Sequence, residues 1–428
     1  MNKIKELVRK ILPESLILWS HKARAVAAAI FYGFPARKMK VIGVTGTNGK
    51  TTVCNLIASI LENSGHKIGL ASTINFRIGS REWTNRSKMT TTTPFELEKL
   101  LSEMAREKCE YAIIETTSHA IKQYRNWGIR YHSVVLTNIT HDHLDYHKNF
   151  AEYRDTKLKL FENNPAVSVI NRDDQSYVSF AKKPAGKRYL YSIEEKADIT
   201  AKKIYMANEG SNFNIVTPEG QISVSLGIPG KFNIYNALAA AGVALGEGIA
   251  LDKIKEGLEK VKGVPGRMQK IENDRNITII VDFAHTPDGL KNVFETVKNF
   301  AKGRIIHVGG ATGRRDKTKR PILGALAGKY ADVAIVTDED PYDEDPWKII
   351  EEVASGVHRG EESKNKKIEG KNFFKVLDRR EAIKMALSMA EKNDVVLVTG
   401  KGAEEVMAVG DKLVPYSDKK VVEEILKK

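Results

Sequence analysis

The segment VIGVTGTNGKTTVCN, residues 41–55, decides the fold expected for this chain. Its apolar start predicts a buried strand, the glycines that follow predict a tight loop ending at Lys50 and Thr51, and a helix is expected after them. Backbone N–H groups of such a loop, together with the N-terminus of the helix, cradle phosphate oxygens. The sequence therefore predicts a nucleotide site.

The loop departs from the standard nucleotide motif at one position. The pattern G-x-x-x-x-G-K-[ST] requires glycine six residues before Lys50, and Val44 stands there. In the shorter loop, Lys50 would reach the β- and γ-phosphates, and Thr51 would offer its hydroxyl to Mg²⁺. The residues expected around the phosphates are Gly46, Thr47, Asn48, Gly49, Lys50, Thr51 and Thr52.

Two series of alternating strands and helices surround and follow this loop. The first contains KVIGV, YAIIE, SVVLTN and VSVIN, and the second contains ITIIVDF, RIIHVGG, VAIVTD and VVLVTG. Such alternation predicts an α/β fold with mostly parallel sheets covered by helices. We expect a helical N-terminal segment over residues 1–37 with a break near Pro13, a central nucleotide-binding domain over 38–264, and a C-terminal Rossmann-like domain over 265–428. Within the central domain, SNFNIVTPEGQISVSL predicts a β-hairpin.

Composition narrows the class of protein. The chain has 428 residues, a formal net charge of +14 and two cysteines, so neither a disulfide framework nor a zinc site is indicated. The basic residues are scattered among glutamates, which favours a solvated surface over a nucleic-acid partner. No cleavable signal or membrane-length apolar run stands out, and a monomeric cytoplasmic enzyme is expected. The basic residues 3–37 could touch a membrane surface, although a docked helix is the favoured interpretation.

A dense polar group follows the strand SVVLTN. It consists of His141, Asp142, His143, Asp145 and His147. Sites are commonly placed on such turns, and the spacing alone would also permit the metal cluster of a hydrolase. A second polar run, TDEDPYDEDP, is either a binding site for a cationic group or a solvated acidic loop.

Several motifs together resemble one family. GVTGTNGKTT, TTTTPFELEKL, IIETTSHAIKQYR and LTNITHDHLDYHKNFAEYRDTKLKLF are similar to segments of the Mur ligases, especially the branch that makes UDP-N-acetylmuramoyl tripeptides. The resemblance implies an ATP-dependent, ADP-forming ligase of peptidoglycan precursor synthesis. Such an enzyme adds an amino acid, here expected to be a diamino acid, to a muramoyl-dipeptide acceptor through an acyl phosphate.

The same resemblance implies roles for residues of the central domain. Glu115 and His143 would bind Mg²⁺ with Thr51, and Lys157 would carry a carbamate formed with CO₂. Asn138 would lie near the ATP. The residues implied for the acceptor are Thr92, Thr93, Pro94, Thr117, Ser118, Gln123 and Arg125.

Residues of the second half complete the resemblance. Asn233 in GKFNIYNALAA, together with Arg267, Asp282 and His285, would contact ATP, although Asn233 could instead cap a helix. Arg315 in GGATGRRDKTKRP would bind the carboxylate of the added amino acid, a task that suits a planar bidentate donor. The other residues implied for the amino acid are Glu339, Asp340, Tyr342, Gly400 and Glu404.

Two departures from the family pattern keep alternatives open. Residues 1–37 are similar only to the end of the family's UDP-binding domain. Tyr342 stands where enzymes that add diaminopimelate have arginine, which favours lysine or another basic amino acid. The alternatives are a Mur-like ligase with a lipid-linked or non-murein acceptor, a polyglutamate-type ligase, or a nucleotide-dependent binding protein without ligase activity.

Overall fold

An eleven-stranded sheet carries the glycine-rich loop in the computed structural model, which describes residues 12–140, 142–143, 146–358 and 366–427. The strand order is β11-β10-β9-β8-β7-β6-β1-β5-β2-β3-β4, and the seven strands from β9 to β2 are parallel. The strands are β1 Lys40–Thr45, β2 Ile68–Ala71, β3 Asn75–Ile78, β4 Arg81–Thr84, β5 Tyr111–Glu115, β6 Tyr131–Leu136, β7 Val167–Asn171, β8 Lys187–Ser192, β9 Ile199–Ala207, β10 Gly210–Thr217 and β11 Gly220–Leu226.

Helices cover both faces of this sheet, because its central strands are apolar on both sides. The α-helices of the first series are α1 Glu14–Phe31, α2 Lys50–Asn63, α3 Pro94–Arg106, α4 Ser118–Lys122, α5 Phe150–Leu158, α6 Tyr177–Ala181, α7 Lys231–Gly246 and α8 Leu251–Lys260. Short 3₁₀ turns lie at Pro35–Lys38 and Lys159–Phe161. Helices α2, α7 and α8 pack on one face, and α3 packs on the other.

A six-stranded sheet forms the second layered unit, in the order β12-β13-β17-β14-β15-β16 and parallel except for β12. A separate hairpin, β18–β19, follows it. The strands are β12 Gln269–Ile271, β13 Thr278–Asp282, β14 Ile305–Gly309, β15 Val333–Thr337, β16 Phe373–Val376, β17 Val395–Thr399, β18 Val406–Val409 and β19 Lys412–Pro415. The helices are α9 Pro287–Phe300, α10 Lys319–Tyr330, α11 Pro346–Val357, α12 Arg379–Met389 and α13 Asp418–Leu426.

The α/β fold class predicted from the alternation is confirmed, and so is the hairpin at β10–β11. The helix expected before residue 37 begins directly after Pro13, and residues 1–11 of that prediction lie outside the described ranges. The suggestion that Asn233 caps a helix is wrong, because α7 already begins at Lys231 with Gly230 at its N-cap. The domain boundary at residue 264 falls between α8 and β12 and stays a prediction.

The order of the strands places the predicted nucleotide loop at a topological switch point. Strand β1 lies between β5 and β6, and all three run parallel, so their carboxyl ends open at the same edge. Ligands of open α/β sheets bind in the crevice outside such an edge. Within the described ranges, no helix is both long enough and apolar enough to cross a bilayer.

One buried carboxyl group of α3 gives a test of the packing. Glu98 is 3% exposed, and burial raises its pKa to about 7 from an ordinary 4.5. The protonated form is therefore favoured in the folded chain, and its contribution to stability is lost as the pH rises from 4.5 through about 7. We expect Glu98→Gln to raise the free energy of unfolding by about 1–2 kcal/mol at pH 8, with little change at pH 4.5.

Urea unfolding at both pH values measures this effect. Glu103→Gln, on the same helix and paired with Arg81 at the surface, is the matched control. Equal effects of the Glu98 substitution at the two pH values would contradict the assignment of a neutral buried carboxyl group.

Candidate active site

The loop between β1 and α2 has a backbone that only glycine accommodates at two points. Gly46 has φ of +151°, and a Cβ there would lie 1.8 Å from Thr137 Oγ1. Gly49, the N-cap of α2, has φ of +85°, and a Cβ there would lie 2.4 Å from Asn236 Oδ1. Among the described residues, no side chain caps α2, so its first N–H groups are available to an anion.

Asn138, at the end of β6, holds the loop in this shape. Its carbonyl oxygen accepts a hydrogen bond from the Thr47 N–H at 2.8 Å. Its side-chain oxygen accepts another from the Asn48 N–H at 2.9 Å. The residue predicted to lie near ATP therefore positions the phosphate loop itself.

Two lysines converge on the first carbonyl group of the loop. Lys50 Nζ donates to the Gly46 and Thr47 oxygens at 3.1 and 2.8 Å, and Lys157 Nζ donates to the Gly46 oxygen at 2.8 Å. Lys157 is only 1% exposed. Burial, reinforced by the neighbouring Lys50 charge, holds the pKa of Lys157 well below its ordinary value. The side chain is thus a buried amine in which the neutral form is favoured, directly behind the phosphate loop.

Oxygen ligands suited to magnesium adjoin these lysines. Thr51 Oγ1 donates to Glu115 Oε2 at 3.0 Å, and Glu115 also accepts from the N–H and hydroxyl groups of Thr73 at 2.8 and 2.9 Å. Arg267 Nη2, from the second unit, reaches Thr51 Oγ1 at 3.0 Å. Hard oxygen donors at the end of a phosphate loop fit Mg²⁺, so Thr51 and Glu115 match the ion implied by the sequence.

His143 has a different set of contacts. Its Nε2 lies 3.2 Å from Asp142 Oδ2, and its ring stands 4.7 Å from that of His119. Burial lowers the pKa of His143 to about 3, so the imidazole is neutral. In the described part of the chain, no three His, Cys, Asp or Glu side chains form a metal cluster, and His141 and Asp145 lie outside that part. Metal binding by His143 stays a prediction.

The residues predicted for the acceptor divide into two groups. Thr117 lies on the wall of the central cavity, at the N-cap of α4. Thr93 forms a capping box with Glu96 at the start of α3, where Pro94 is the first helical residue, and the acceptor contacts of both stay predictions. Thr92 lies on a neighbouring groove, and Ser118 is buried with its hydroxyl 3.1 Å from His147 Nε2.

Arg125 and Gln123 form a pair beside the same segment. The guanidinium group donates to Gln123 Oε1 at 3.0 and 2.7 Å and to the Thr91 carbonyl oxygen at 2.6 Å. The bond from Arg125 fixes the Thr91 carbonyl group, next to Thr92. Direct contact of Gln123 or Arg125 with the acceptor stays a prediction.

On the opposite wall, the predicted ATP contacts come from both sheets. Asp282 accepts hydrogen bonds from the Met268 and Ala284 N–H groups at 2.6 and 2.7 Å, which fixes the turn that carries His285. Arg267 lies over the Phe283 ring at 4.3 Å. Asn233 is fully buried and bonds to the Pro229 carbonyl oxygen, whereas Asn236, one turn later, lies on the cavity wall.

A pocket of alternating charges forms at the carboxyl edge of the second sheet. Asp340 is 3.0 Å from Lys401 Nζ, which also contacts Glu404 at 3.0 Å. Lys88, which follows β4 in the first unit, bridges the same two carboxylates and lies 2.6 Å from Asp340. Two acids and two lysines therefore neutralise one another across the junction of the two sheets.

Glu339 lies beside this group without a comparable partner. It is 2% exposed, and a Cβ on Gly400 would lie 2.4 Å from its Oε2. Among the described atoms, that Oε2 has no hydrogen-bond partner, and burial raises the pKa of Glu339 to about 7. A cation supplied by a ligand would satisfy this carboxylate.

A single cavity of about 840 Å³ joins the phosphate loop to this pocket. Its wall includes many of the predicted site residues: Thr47, Asn48, Gly49, Lys50, Thr51, Thr52, Glu115, Thr117, Asn138, His143, Arg267, Asp282, His285, Arg315, Glu339, Asp340, Tyr342, Gly400 and Glu404. The predicted residues that the structure places behind or beside the wall are Gly46, Thr92, Thr93, Pro94, Ser118, Gln123, Arg125, Lys157 and Asn233. Arg315 lies on this wall, and its charge opposes the protonated form of His143.

Sequence reasoning missed several residues of this cavity. Lys88, Asn236 and Asp288 line it, and Asn48 Nδ2 donates to Asp288 at 2.8 Å across the two units. The lysine of TNRSKMTTTTP was a detectable signal, since it immediately precedes the threonine-rich segment. Its partner could not be found from the pattern, because Asp340 is 252 residues away.

The sequence of the chain is similar to those of known ligases over most of its length. Residues 44–244 match the Mur ligase middle domain, and residues 266–402 match the family described as Mur ligase, glutamate ligase domain. The chain is 41% identical over 410 residues to UDP-N-acetylmuramoyl-L-alanyl-D-glutamate–2,6-diaminopimelate ligase of Clostridium botulinum, covering 95% of this chain and 82% of the relative. It is 40% identical over 412 residues to UDP-N-acetylmuramyl-tripeptide synthetase of a Roseiflexus species, covering 92% and 80% respectively.

The fold is similar to those of solved structures of ligases. A structure of UDP-N-acetylmuramoyl-L-alanyl-D-glutamate–2,6-diaminopimelate ligase is 31% identical, with a TM-score of 0.62 over 91% of this chain and 78% of the other. Folylpolyglutamate synthase of Mycobacterium tuberculosis, at 18% identity and a TM-score of 0.70 over 93% and 95% of the two chains, shares the fold. Two family models that together cover most of the chain, and relatives about 40% identical over most of their own length, show that the chain belongs to the Mur ligase family.

Proposed function

We propose that this Mur ligase joins a diamino acid to the terminal carboxylate of a muramoyl-dipeptide acceptor in peptidoglycan precursor synthesis. Mur ligases are ATP-dependent, ADP-forming amide ligases, so the reaction type follows from the family. The printed names of the relatives supply the substrate class. The observation that carries the proposal is the single cavity between the phosphate loop and the acidic pocket around Glu339.

The family resemblance implies the order of the chemical steps, and the groups that line the cavity suit them. The acceptor carboxylate attacks the γ-phosphorus of ATP, ADP leaves, and an acyl phosphate forms. The neutral amine of the incoming amino acid then attacks the acyl carbon, its nitrogen loses a proton to solvent, and the tetrahedral adduct expels phosphate and leaves an amide. Lys50 and the N-terminus of α2 neutralise the spreading phosphate charge, while the walls hold the partners in line. Bound by Thr51 and Glu115, Mg²⁺ would withdraw charge from the phosphate oxygens.

We further propose the implied carbamate on Lys157. A neutral amine adds to the carbon of CO₂ and loses a proton, which replaces a cation by a carboxylate. Its support is the position of Nζ, buried against the Gly46 oxygen and close to Lys50. A carboxylate there would pair with Lys50 and offer a hard oxygen to magnesium.

The added amino acid is proposed to present a cationic side chain to Glu339. Arg315 is proposed to take its α-carboxylate, because a guanidinium group pairs with a carboxylate through two parallel bonds. Tyr342 has no positive charge for a second carboxylate, so lysine-like substrates suit this wall better than diaminopimelate does.

Lys88 gives a test of this specificity. Its ammonium group lies within the pocket and is 2.6 Å from Asp340. Lys88→Met removes one positive charge and leaves Asp340 and Glu404 with Lys401 alone. The pocket then favours an amino acid whose side chain carries a cation over one whose side chain carries a carboxylate. We expect the ratio of kcat/KM for lysine to that for 2,6-diaminopimelate to rise about tenfold.

Steady-state phosphate release with each amino acid measures that ratio. Lys88→Arg retains the charge and should leave the ratio within about twofold, as should Lys99→Met on the outer face of α3. A fall in the ratio for Lys88→Met would show that the pocket does not select through this charge.

The proposed function is tested by phosphate release with candidate acceptors crossed against a panel of amino acids. Release is expected with UDP-muramoyl dipeptide and at least one diamino acid, and the product should carry one new amide. If every diamino acid gives no release with that acceptor, the tripeptide-synthetase assignment fails.

We also propose that the protein acts as a cytoplasmic monomer on small molecules rather than on nucleic acid. Light scattering would test the monomer, and a gel shift at physiological salt would test for binding of nucleic acid.

A further inference from the structure

We propose that helix α1 docks the protein on an anionic lipid surface. The proposal concerns the outer side of α1, which takes no part in the cavity, and it does not depend on the identity of the substrates. It rests on the distribution of apolar and charged side chains around this helix.

The inner side of α1 is already used in packing. Ala25, Ala28 and Ala29 are buried, and the helix lies against α3. The half-exposed Glu14 side chain reaches the body of the protein, since its carboxylate is 2.9 Å from Lys122 Nζ. Small residues, this ion pair and the Lys22 ammonium group, 5.7 Å from the centre of the Tyr124 ring, hold the helix on the body of the protein.

The outer side carries an apolar stripe. Leu16, Trp19, Ile30 and Phe31 are 53%, 71%, 63% and 74% exposed, and Ala23 and Ala27 continue the row between them. These positions recur every three or four residues, which places them along one face of a helix. Scattered exposed apolar residues are ordinary, but a continuous row with an exposed tryptophan marks a surface that contacts something apolar.

Two cations stand at the edges of the stripe. Lys22 and Arg24 are exposed on either side of it, and Glu14, the acidic residue of the helix, points away. Long basic side chains can extend their charges towards lipid headgroups while the apolar row enters the interface. The net charge of +14 acts in the same direction over longer range.

The same charges argue against a second copy of this chain as the occupant. In a twofold pair formed along the stripe, Lys22 and Arg24 of the two copies would flank the same apolar row, and their like charges would oppose the approach. An anionic lipid surface satisfies the cations and the apolar row together.

The docked helix would also set the orientation of the cavity. The Phe31 ring, at the end of the stripe, lies 6.3 Å from the ring of Phe95 at the start of α3. Phe95 directly follows Thr93 and Pro94, in the segment predicted to contact the acceptor. The acceptor side of the protein would therefore lie close to the lipid.

Co-sedimentation of the full chain with vesicles tests the proposal. The probes are vesicles of phosphatidylcholine alone and of phosphatidylcholine mixed with phosphatidylglycerol. Wild type should bind the mixed vesicles, and binding should weaken with salt. Trp19→Ser combined with Phe31→Ser should lose at least about tenfold in partitioning. Lys22→Gln combined with Arg24→Gln should lose binding to the mixed vesicles specifically.

The matched control is Ile322→Ser combined with Trp347→Ser, two apolar residues that are each 44% exposed on the second unit. The control should bind vesicles as wild type does, and all three double variants should retain phosphate release with a soluble acceptor. Failure of wild type to bind mixed vesicles, or equal binding by the stripe variant, would overturn the proposal. So would a stripe-dependent dimer by light scattering, or protection of Trp19 from acrylamide quenching in the protein without vesicles.

Discussion

Replacement of Lys157 by alanine is expected to lower kcat for amide formation by about a thousandfold, with a smaller change in the KM for ATP. The side chain is buried, and its Nζ lies 2.8 Å from the Gly46 oxygen at the base of the phosphate loop. Removing it takes away the group proposed to complete the magnesium site and to offset the charge of Lys50. The cavity that remains keeps Lys50 and Thr51, so it can still bind nucleotide but stabilises the reacting phosphate poorly.

Arginine at the same position separates the two roles open to this lysine. Lys157→Arg retains a cation but cannot form a carbamate with CO₂, so we expect it to be nearly as inactive as the alanine variant. Lys159→Ala, two residues later, is the matched control and should keep wild-type rates. In ¹³C-bicarbonate, wild type and the control should show a carbamate carbon resonance that both Lys157 variants lack. Activity of Lys157→Arg within about tenfold of wild type would contradict the carbamate.

The second large effect is expected at Glu339. We expect Glu339→Gln to raise the KM for the diamino acid by about thirtyfold, with a smaller change in kcat, because a buried carboxylate–ammonium pair becomes a neutral contact. The residue is 2% exposed, and burial raises its pKa to about 7. The KM of wild type should therefore rise as the pH falls below about 7, whereas that of the variant should change little there.

Steady-state kinetics over this pH range with a constant acceptor concentration would measure both effects. Asp343→Asn lies in the same acidic run but has a half-exposed side chain that pairs with Arg314, so it should behave as wild type. Equal effects of the two substitutions would mean that the run acts as a solvated acidic loop.

Local sequence predicted most of the fold because the deciding patterns are short. The apolar strands β1, β5, β6 and β7 lie in the centre of a sheet covered on both faces, and such strands give continuous apolar runs. The hairpin β3–β4 was missed, since each of its strands has four residues and lies at the edge of the sheet.

The site was predictable only as far as its residues are close in the chain or belong to a motif. Thr93 shows the limit, because its place in the capping box of α3 became visible only in the structure, and its contact with the acceptor stays a prediction. A second limit is the direction of a side chain on a helix. Asn233 and Asn236 are one turn apart on α7, and only the Asn236 amide lies on the wall of the cavity. The contacts of Lys88 with Asp340 and Glu404 depend on how the two sheets are packed together, which no local pattern encodes.

The central claim is that ATP activates the acceptor's own carboxylate. The most direct test uses UDP-muramoyl dipeptide labelled with ¹⁸O in its terminal carboxylate, followed by mass spectrometry of the released phosphate. An acyl phosphate requires one labelled oxygen in the phosphate for each amide formed. Amide formation accompanied by unlabelled phosphate would contradict the account.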